Sequence, residues 1–188
     1  MRNIIVSEWV TLDGVFDADP QYFGVWWLPY HSDERAAHIR KTIESADALL
    51  LGSTTYEMLA PCWSAQENDD NGPASKLNRM TKYVVSSTLK ESLWNNARKI
   101  IKDNVVEEIR TLKQEPGGDI LIPGSATLVQ SLMETDLIDE YRFLVLPVIM
   151  GPGKRFFKDG MAITKLALVE TKMLPLGVLA LVYEARKK

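Results

Sequence analysis

The stretch DILIPGSATLVQSL, residues 119–132, decides how the chain is organised. Its first four letters are typical of a buried β-strand, and the chain then turns at Pro123. Leu128, Val129 and Leu132 follow at helical spacing. The sequence therefore predicts a strand, a tight turn and a helix. The residues of the turn and of the helix start are small or hydroxylated: Gly124, Ser125, Ala126 and Thr127.

Two other apolar segments end in the same kind of residue. ADALLLG, residues 46–52, is a continuous apolar run that leads into Ser53, and KYVVSS ends at Ser87. Strands that alternate with helices predict an α/β fold with a mostly parallel sheet. Two apolar segments around Pro175 and Gly177 predict an antiparallel hairpin at one edge of that sheet.

The remaining elements are predicted from local patterns. NIIVSEWV is rich in β-branched residues and predicts a first strand that stops at Asp13 and Gly14. A helix is expected from about Asp33, and a short helix STTYEMLAP is expected to close at Pro61. The polar residues 64–75 predict a surface loop.

Composition sets the class of protein. A chain of 188 residues suits a single domain, residues 1–188, and its net charge is −3 with dispersed basic residues, so we expect no nucleic-acid partner. A single cysteine, Cys62, excludes an intramolecular disulfide, and two histidines give little support for a metal site. We expect Cys62 to be a small buried side chain. Without a signal sequence or a membrane-length apolar run, the predicted location is the cytoplasm.

The ends of the predicted strands are where a ligand is expected. In an open α/β sheet, ligands bind beyond the carboxyl ends of the strands, and the unpaired N–H groups of a helix start favour phosphate. A second interpretation needs no ligand. The segments TTYE, residues 54–57, and TLVQ, residues 127–130, both match the capping box, in which side chains satisfy the helix start. Both interpretations stay open on the sequence.

The order of these motifs resembles a known family. VSEWVTLDGV, ALLLGSTTYEML, KYVVSSTL, the stretch of residues 119–157 and the final hairpin are similar, in that order, to the dihydrofolate reductase-like superfamily. Within it, the chain most resembles the reductase domain of the bifunctional riboflavin-biosynthesis deaminase/reductase and its stand-alone relatives. The resemblance implies a three-layer fold with helices on both sides of the sheet. The zinc deaminase signature is absent from the sequence, so no deaminase function is expected.

The resemblance also implies NADPH as the cofactor. The positions it assigns lie at strand ends: Gly52, Thr54 and Thr55 for the pyrophosphate; Ser86 and Ser87 for the adenosine ribose and its 2′-phosphate; Gly124, Ser125, Ala126 and Thr127 for the pyrophosphate and nicotinamide; and Asp13 and Gly14 for the flank of the nicotinamide. Pro123 and Ser53 depart from the dihydrofolate reductase pattern, which has a glycine and a basic residue there. The preference for NADPH over NADH is therefore inherited from the family.

The aromatic segment before the first helix is the expected substrate side. Trp27 can stack on a flat ring, and Asp33 lies where dihydrofolate reductases place their buried acid. The alternatives are that Asp33 is an exposed helix cap and that Trp26 and Trp27 pack the segment onto the sheet. Phe23 belongs to the same segment.

We predict an NADPH-dependent reductase that acts on a small heterocycle, either 5-amino-6-(5-phosphoribosylamino)uracil or a pteridine-like ring. One alternative is a dinucleotide-binding or structural homodimer without turnover, and another is a small-molecule binder that takes no dinucleotide. The apolar final hairpin predicts a homodimer, and no catalytic residue or metal ligand is assigned.

Overall fold

The computed structural model describes residues 1–17, 26–66, 72–92 and 94–186, and Phe23 lies outside these residues. The strands are β1 (Ile4–Thr11), β2 (Val15–Asp17), β3 (Ala46–Gly52), β4 (Thr81–Val85), β5 (Ala97–Ile101), β6 (Asp119–Ile122), β7 (Glu140–Leu146), β8 (Lys154–Arg155), β9 (Leu166–Met173) and β10 (Leu179–Ala185). The helices are α1 (Asp33–Glu44), α2 (Ser53–Ser64), α3 (Pro73–Arg79), α4 (Val105–Gln114) and α5 (Ala126–Met133).

The described residues form one eight-stranded sheet in the order β5-β4-β3-β6-β1-β7-β10-β9. Neighbouring strands from β5 to β7 are parallel, whereas β10 pairs antiparallel with both β7 and β9. Strands β2 and β8 form a separate short antiparallel ribbon. The predicted α/β class, with a mostly parallel sheet and an antiparallel C-terminal hairpin, is confirmed.

Helices cover both faces of the sheet. On one face, Ile109 of α4 and Val129 of α5 pack with Val6 of β1 in the largest apolar cluster of the described residues. On the other face, Tyr56 of α2 and Leu77 of α3 pack against the apolar strand β3. Strands covered in this way are apolar on both sides, which explains the continuous run ADALLLG.

Three sequence predictions between β3 and β4 are wrong. Helix α2 does not close at Pro61 but continues to Ser64. The ring of Pro61 leaves the carbonyl of Glu57 without its helical partner, and Glu57 is exposed, so water can satisfy that carbonyl. Part of the predicted loop is α3, with Pro73 in the first turn, where proline needs no N–H. Cys62 is exposed rather than buried.

Arg35 fastens the segment before α1 to the sheet. Only 2% of its surface is exposed, and its guanidinium carbon lies 4.7 Å from the ring centroid of Trp9 and 5.3 Å from that of Trp27. Its Nη1 donates to the carbonyls of Trp27 (3.0 Å) and Tyr30 (2.8 Å). A planar guanidinium can stack and donate at the same time, which an ammonium cannot do.

The edge strand β9 presents apolar side chains to solvent. Leu168 and Val169 are each 55% exposed, and Met173 is 78% exposed. A homodimer that covers this edge stays a prediction. Among the described helices, none has the length and apolar character needed to cross a membrane.

Replacing Arg35 by lysine should destabilise the protein by about 2 kcal/mol, because the stacking contacts and one of the charged hydrogen bonds are lost. Urea denaturation followed by circular dichroism measures this change. Arg40→Lys, at an exposed position of α1, is the matched control and should be neutral. Equal stabilities of the two variants would show that Arg35 does not anchor the segment.

Candidate functional site

Strands β3 and β6 end side by side at one edge of the sheet, next to the second half of the parallel strand β1. Strand β6 lies between β3 and β1, and the register pairs its last residue, Ile122, with Val6. The turn after β6 therefore lies beside Gly52 at the end of β3 and beside the second half of β1. This edge, formed by residues 52–55, 123–127 and the second half of β1 (residues 8–11), is called the crest below.

The glycines of the crest allow two turns to touch. The Gly52 N–H donates to the carbonyl of Gly124 at 3.3 Å, and a Cβ at Gly52 would collide with Ser125 Oγ. A Cβ at Gly124 would lie 2.6 Å from Thr55 Oγ1, and Gly124 has a φ of +123°. Packing between the turns thus requires both glycines, whether or not a ligand binds. The peptide bond between Gly124 and Ser125 is cis.

Helix α2 begins without a side-chain cap. Its N-cap residue is Gly52, and no side chain of the described residues caps the first N–H groups of the helix. The capping-box interpretation of residues 54–57 is therefore wrong. Thr55 is 6% exposed and packs at Gly124, whereas Thr54 is exposed and its hydroxyl is free to meet a ligand. The start of α2 keeps the unpaired donors that favour an anion.

Helix α5 is different because it carries its own cap. Ser125 is its N-cap residue, and Ser125 Oγ accepts from the N–H of Leu128 at 3.4 Å. The capping box predicted for residues 127–130 is therefore wrong, because the N-cap residue is Ser125 and not Thr127, but the start of α5 is capped by a side chain. Ala126 is buried and Thr127 is exposed. Of the two helix starts, α2 is the stronger candidate for phosphate.

The turn after β4 is partly self-satisfied. Ser86 Oγ accepts hydrogen bonds from the N–H groups of Thr88 (3.3 Å) and Leu89 (3.0 Å), and Ser86 is 6% exposed. Ser87 is exposed at the same turn. The Ser86 hydroxyl therefore shapes the turn, and the Ser87 hydroxyl remains accessible from solvent.

Asp13 holds two loops together. Its carboxylate accepts from the N–H groups of Met150 (3.1 Å) and Gly151 (2.9 Å) and from the Thr11 hydroxyl (2.5 Å). The Thr11 bond and the backbone bonds lower the pKa of Asp13 to about 2, so the carboxylate stays charged. Gly14 follows with a φ of +80°. Asp13 fixes the loop that the resemblance places beside the nicotinamide, a role that stays a prediction.

Glu8 is the residue of the crest that sequence analysis missed. Its side chain projects from β1 and is surrounded mostly by protein atoms, with a part of its surface exposed to solvent. Its Oε1 lies 3.2 Å from where a Cβ at Gly124 would be, close to Thr55. Burial raises the pKa of Glu8 to about 8, although a hydrogen bond from the Trp9 backbone opposes the rise. At neutral pH Glu8 is mostly an uncharged acid, able to donate a hydrogen bond or a proton.

The predicted substrate residues belong to another cluster. Trp27 lies 5.4 Å from Trp9, edge to face, and Trp9 lies on the opposite side of β1 from Glu8 because side chains alternate along a strand. Asp33 is exposed in the first turn of α1, and Ser32 is the N-cap residue of that helix. Asp33 is thus neither a buried acid nor the cap. The packing interpretation of Trp27 is confirmed, and a substrate contact of either residue stays a prediction.

Other possible sites are poorer. Within the described residues, no group of three or more histidine, cysteine or carboxylate side chains could hold a metal ion. A groove of about 490 Å³ runs between α1 and strands β9 and β10, and its mixed lining includes His38, Arg142 and Glu170. It extends to Ser45 and Glu140, at the edge of the sheet opposite to the crest.

Comparison with known proteins assigns the chain to a family. Residues 2–180 match the family described as the RibD C-terminal domain. The chain belongs to the RibD C-terminal domain family. The resemblance found in the sequence is therefore confirmed, and the match extends over nearly the whole chain.

Individual relatives agree with this assignment. The uncharacterized protein YyaP of Bacillus subtilis (strain 168) is 31% identical over 188 residues, covering 97% of this chain and 94% of that protein. The Thermotoga maritima diaminohydroxyphosphoribosylaminopyrimidine deaminase/5-amino-6-(5-phosphoribosylamino)uracil reductase has a TM-score of 0.71 at 16% identity, covering 98% of this chain and 57% of that chain. Enterococcus faecalis dihydrofolate reductase complexed with NADP(H) has a TM-score of 0.64 at 14% identity, covering 98% and 97%.

The solved structures show that the fold is the dihydrofolate reductase-like one, and membership of the RibD C-terminal domain family supports a reductase-type function. In an open sheet of this kind the crest is the expected place for a ligand. The fold and the uncapped start of α2 therefore both indicate the crest as the place for a ligand.

Glu8→Gln should stabilise the ligand-free protein at pH 9 and have less effect at pH 5. The pKa of Glu8 is about 8 in the folded state against 4.5 for an exposed glutamate, so wild-type stability falls as the pH rises through this interval. Thermal unfolding at both pH values measures the effect. Glu44→Gln, exposed at the end of α1, is the control. If Glu8→Gln changed the melting temperature equally at pH 5 and pH 9, Glu8 would be ionised at both pH values and the prediction would be wrong.

Proposed function

We propose that the protein is an NADPH-dependent reductase that transfers hydride to a small heterocyclic substrate. The observation that carries the proposal is the start of α2 on the β3 side of the crest, where no side chain of the described residues caps the first N–H groups. Such a start holds roughly half a positive charge and favours phosphate oxygens. A dinucleotide supplies a diphosphate of the right charge for this position.

The remaining crest residues suit the rest of such a ligand. Thr54 and Thr127 are exposed at the starts of α2 and α5, where their hydroxyls could contact a diphosphate, and Ser87 is exposed at the neighbouring strand end, where the adenosine ribose would lie. Asp13 lies in the loop after β1 and fixes that loop through hydrogen bonds from the Met150 and Gly151 N–H groups. NADPH, when bound, supplies the hydride, and the chain contributes binding, orientation and exclusion of water.

The substrate class follows from the family and its fold neighbours. The T. maritima protein is by its name a 5-amino-6-(5-phosphoribosylamino)uracil reductase, and the E. faecalis protein is a dihydrofolate reductase. A flat nitrogen heterocycle, either a ribosylaminouracil or a pteridine-like ring, is therefore the proposed substrate. A neutral Glu8 offers one hydrogen-bond donor near the crest for such polar ligands.

Thermal shift and NADPH oxidation test the proposal together. NADPH at 100 times its Kd should stabilise the fold by about 2.7 kcal/mol, which a thermal-shift assay detects readily. The absorbance at 340 nm should then fall when 5-amino-6-(5-phosphoribosylamino)uracil, dihydrofolate or a pterin is added. NADH in parallel measures the preference between the two cofactors.

The same experiment separates the alternatives. Stabilisation by NADPH without oxidation across the panel would favour a dinucleotide-binding protein without turnover. No stabilisation by NADPH or NADH would remove the dinucleotide altogether and leave a binder of other small molecules.

Thr54→Ala should weaken NADPH binding about tenfold, the effect of one lost hydrogen bond to a charged group. Its stability should change little, since the exposed Thr54 side chain does not cap α2. Fluorescence titration with NADPH measures the affinity. Thr111→Ala, at an exposed position of α4, is the control, and equal affinities in both variants would exclude Thr54 from the site.

A further inference from the structure

A carboxyl group lies among the groups that would bind a diphosphate. A Cβ built on Gly124 would lie 3.2 Å from Glu8 Oε1 and 2.6 Å from Thr55 Oγ1. The side chains of Glu8 and Thr55 therefore both lie next to Gly124. Thr55 is in the first turn of α2, which has no side-chain cap. A negative charge on Glu8 would repel a diphosphate here, because water screens little in an enclosed site.

Among the described residues, charged groups on the neighbouring elements do not neutralise Glu8. On β7, Phe143 pairs with Glu8, Tyr141 on the same side has a pKa raised by burial to about 12, and Arg142 turns to Glu140 and Ser45 on the opposite side. The turn before α5 and the helix itself carry no titratable side chain.

Helix α2 and the β2–β8 ribbon, the other elements near the crest, also supply no cation that contributes to the pKa of Glu8. On α2, the Tyr56 hydroxyl accepts from Ser92, and Glu57 is exposed. At the β2–β8 ribbon, Lys154 pairs with Asp17, and Arg155 lies next to Asp13. No cationic side chain of the described residues contributes to the pKa of Glu8, which is set by burial and by the Trp9 backbone.

We propose that Glu8 binds the dinucleotide as an uncharged carboxylic acid, so that the crest accepts a diphosphate only while Glu8 carries its proton. Protonated, Glu8 donates one hydrogen bond to a ligand oxygen; ionised, it presents only acceptors to an anion. Glu8 would then be a binding residue that makes cofactor affinity dependent on pH. This inference rests on the proposed function, since it presupposes that a dinucleotide binds at the crest.

The affinity for NADPH measured at pH 7 and pH 9 tests the inference without a known substrate. With a pKa of about 8, the protonated fraction of Glu8 falls about tenfold between these values, so the wild-type Kd should rise about tenfold. The 2′-phosphate titrates near pH 6, about one unit below the range used. Glu8→Gln keeps the shape but cannot ionise, and its Kd should be the same at both pH values.

A control variant and a second measurement make the result specific to Glu8. Glu44→Gln removes one charge at the opposite edge of the sheet and should follow the wild type. Buried Lys82, whose pKa burial lowers to about 8, titrates in the same range but is retained in Glu8→Gln, so only the difference between the variants reports on Glu8. Calorimetry at pH 8 in two buffers of different ionisation enthalpy should also show uptake of about half a proton per NADPH by the wild type.

The outcomes are distinct. A tenfold rise in Kd that disappears in Glu8→Gln, together with proton uptake, supports the inference. A wild-type Kd that does not change with pH, or an equal rise in Glu8→Gln, overturns the inference and leaves the proposed function intact. A wild-type protein that binds no NADPH at pH 7 overturns both.

Discussion

The contact between the Gly52 and Gly124 turns is the constraint on which the rest of the structure depends. The Gly52 N–H donates a hydrogen bond of 3.3 Å to the Gly124 carbonyl, and the ends of β3 and β6 are then so close that neither glycine position has room for a side chain. Because these strands are parallel neighbours, α2 and α5 then begin on either side of one shared edge. The donors at the start of α2, the Ser125 cap and the Glu8 carboxyl meet there as a consequence.

Glu8 shows that the crest is not arranged for stability alone. A carboxyl held among protein atoms in a central strand costs free energy whenever it ionises, and an apolar side chain at that position would avoid this cost. Asp13, a few residues along, is the opposite case, since its hydrogen bonds favour the charged form and stabilise two loops. Strongly perturbed pKa values that serve no packing purpose are typical of functional sites.

The strands and the hairpin were predictable from the sequence, because apolar patterns indicate burial. The surroundings of Glu8 were not, because they depend on the order of the strands in the sheet. The apolar run of β3 and the final hairpin lead directly to the observed sheet. Glu8 was missed because Ser7, Glu8 and Trp9 suggest an exposed strand end, and only the sheet order places β1 between β6 and β7. One pattern could have revealed it: Glu8 lies between Val6 and Val10 on the same side of the strand, both buried. Asp33 is exposed and not the buried acid that the family position suggested, whereas Arg35 is the buried ion of α1.

Backbone amide chemical shifts recorded with and without NADPH test the central claim most directly, because they identify the groups that meet the ligand regardless of turnover. The account predicts the largest changes at residues 53–55, with smaller ones at residues 124–127 and at Glu8. It is contradicted if these amides stay unchanged at saturating NADPH, or if the changes fall instead in the groove between α1 and β9.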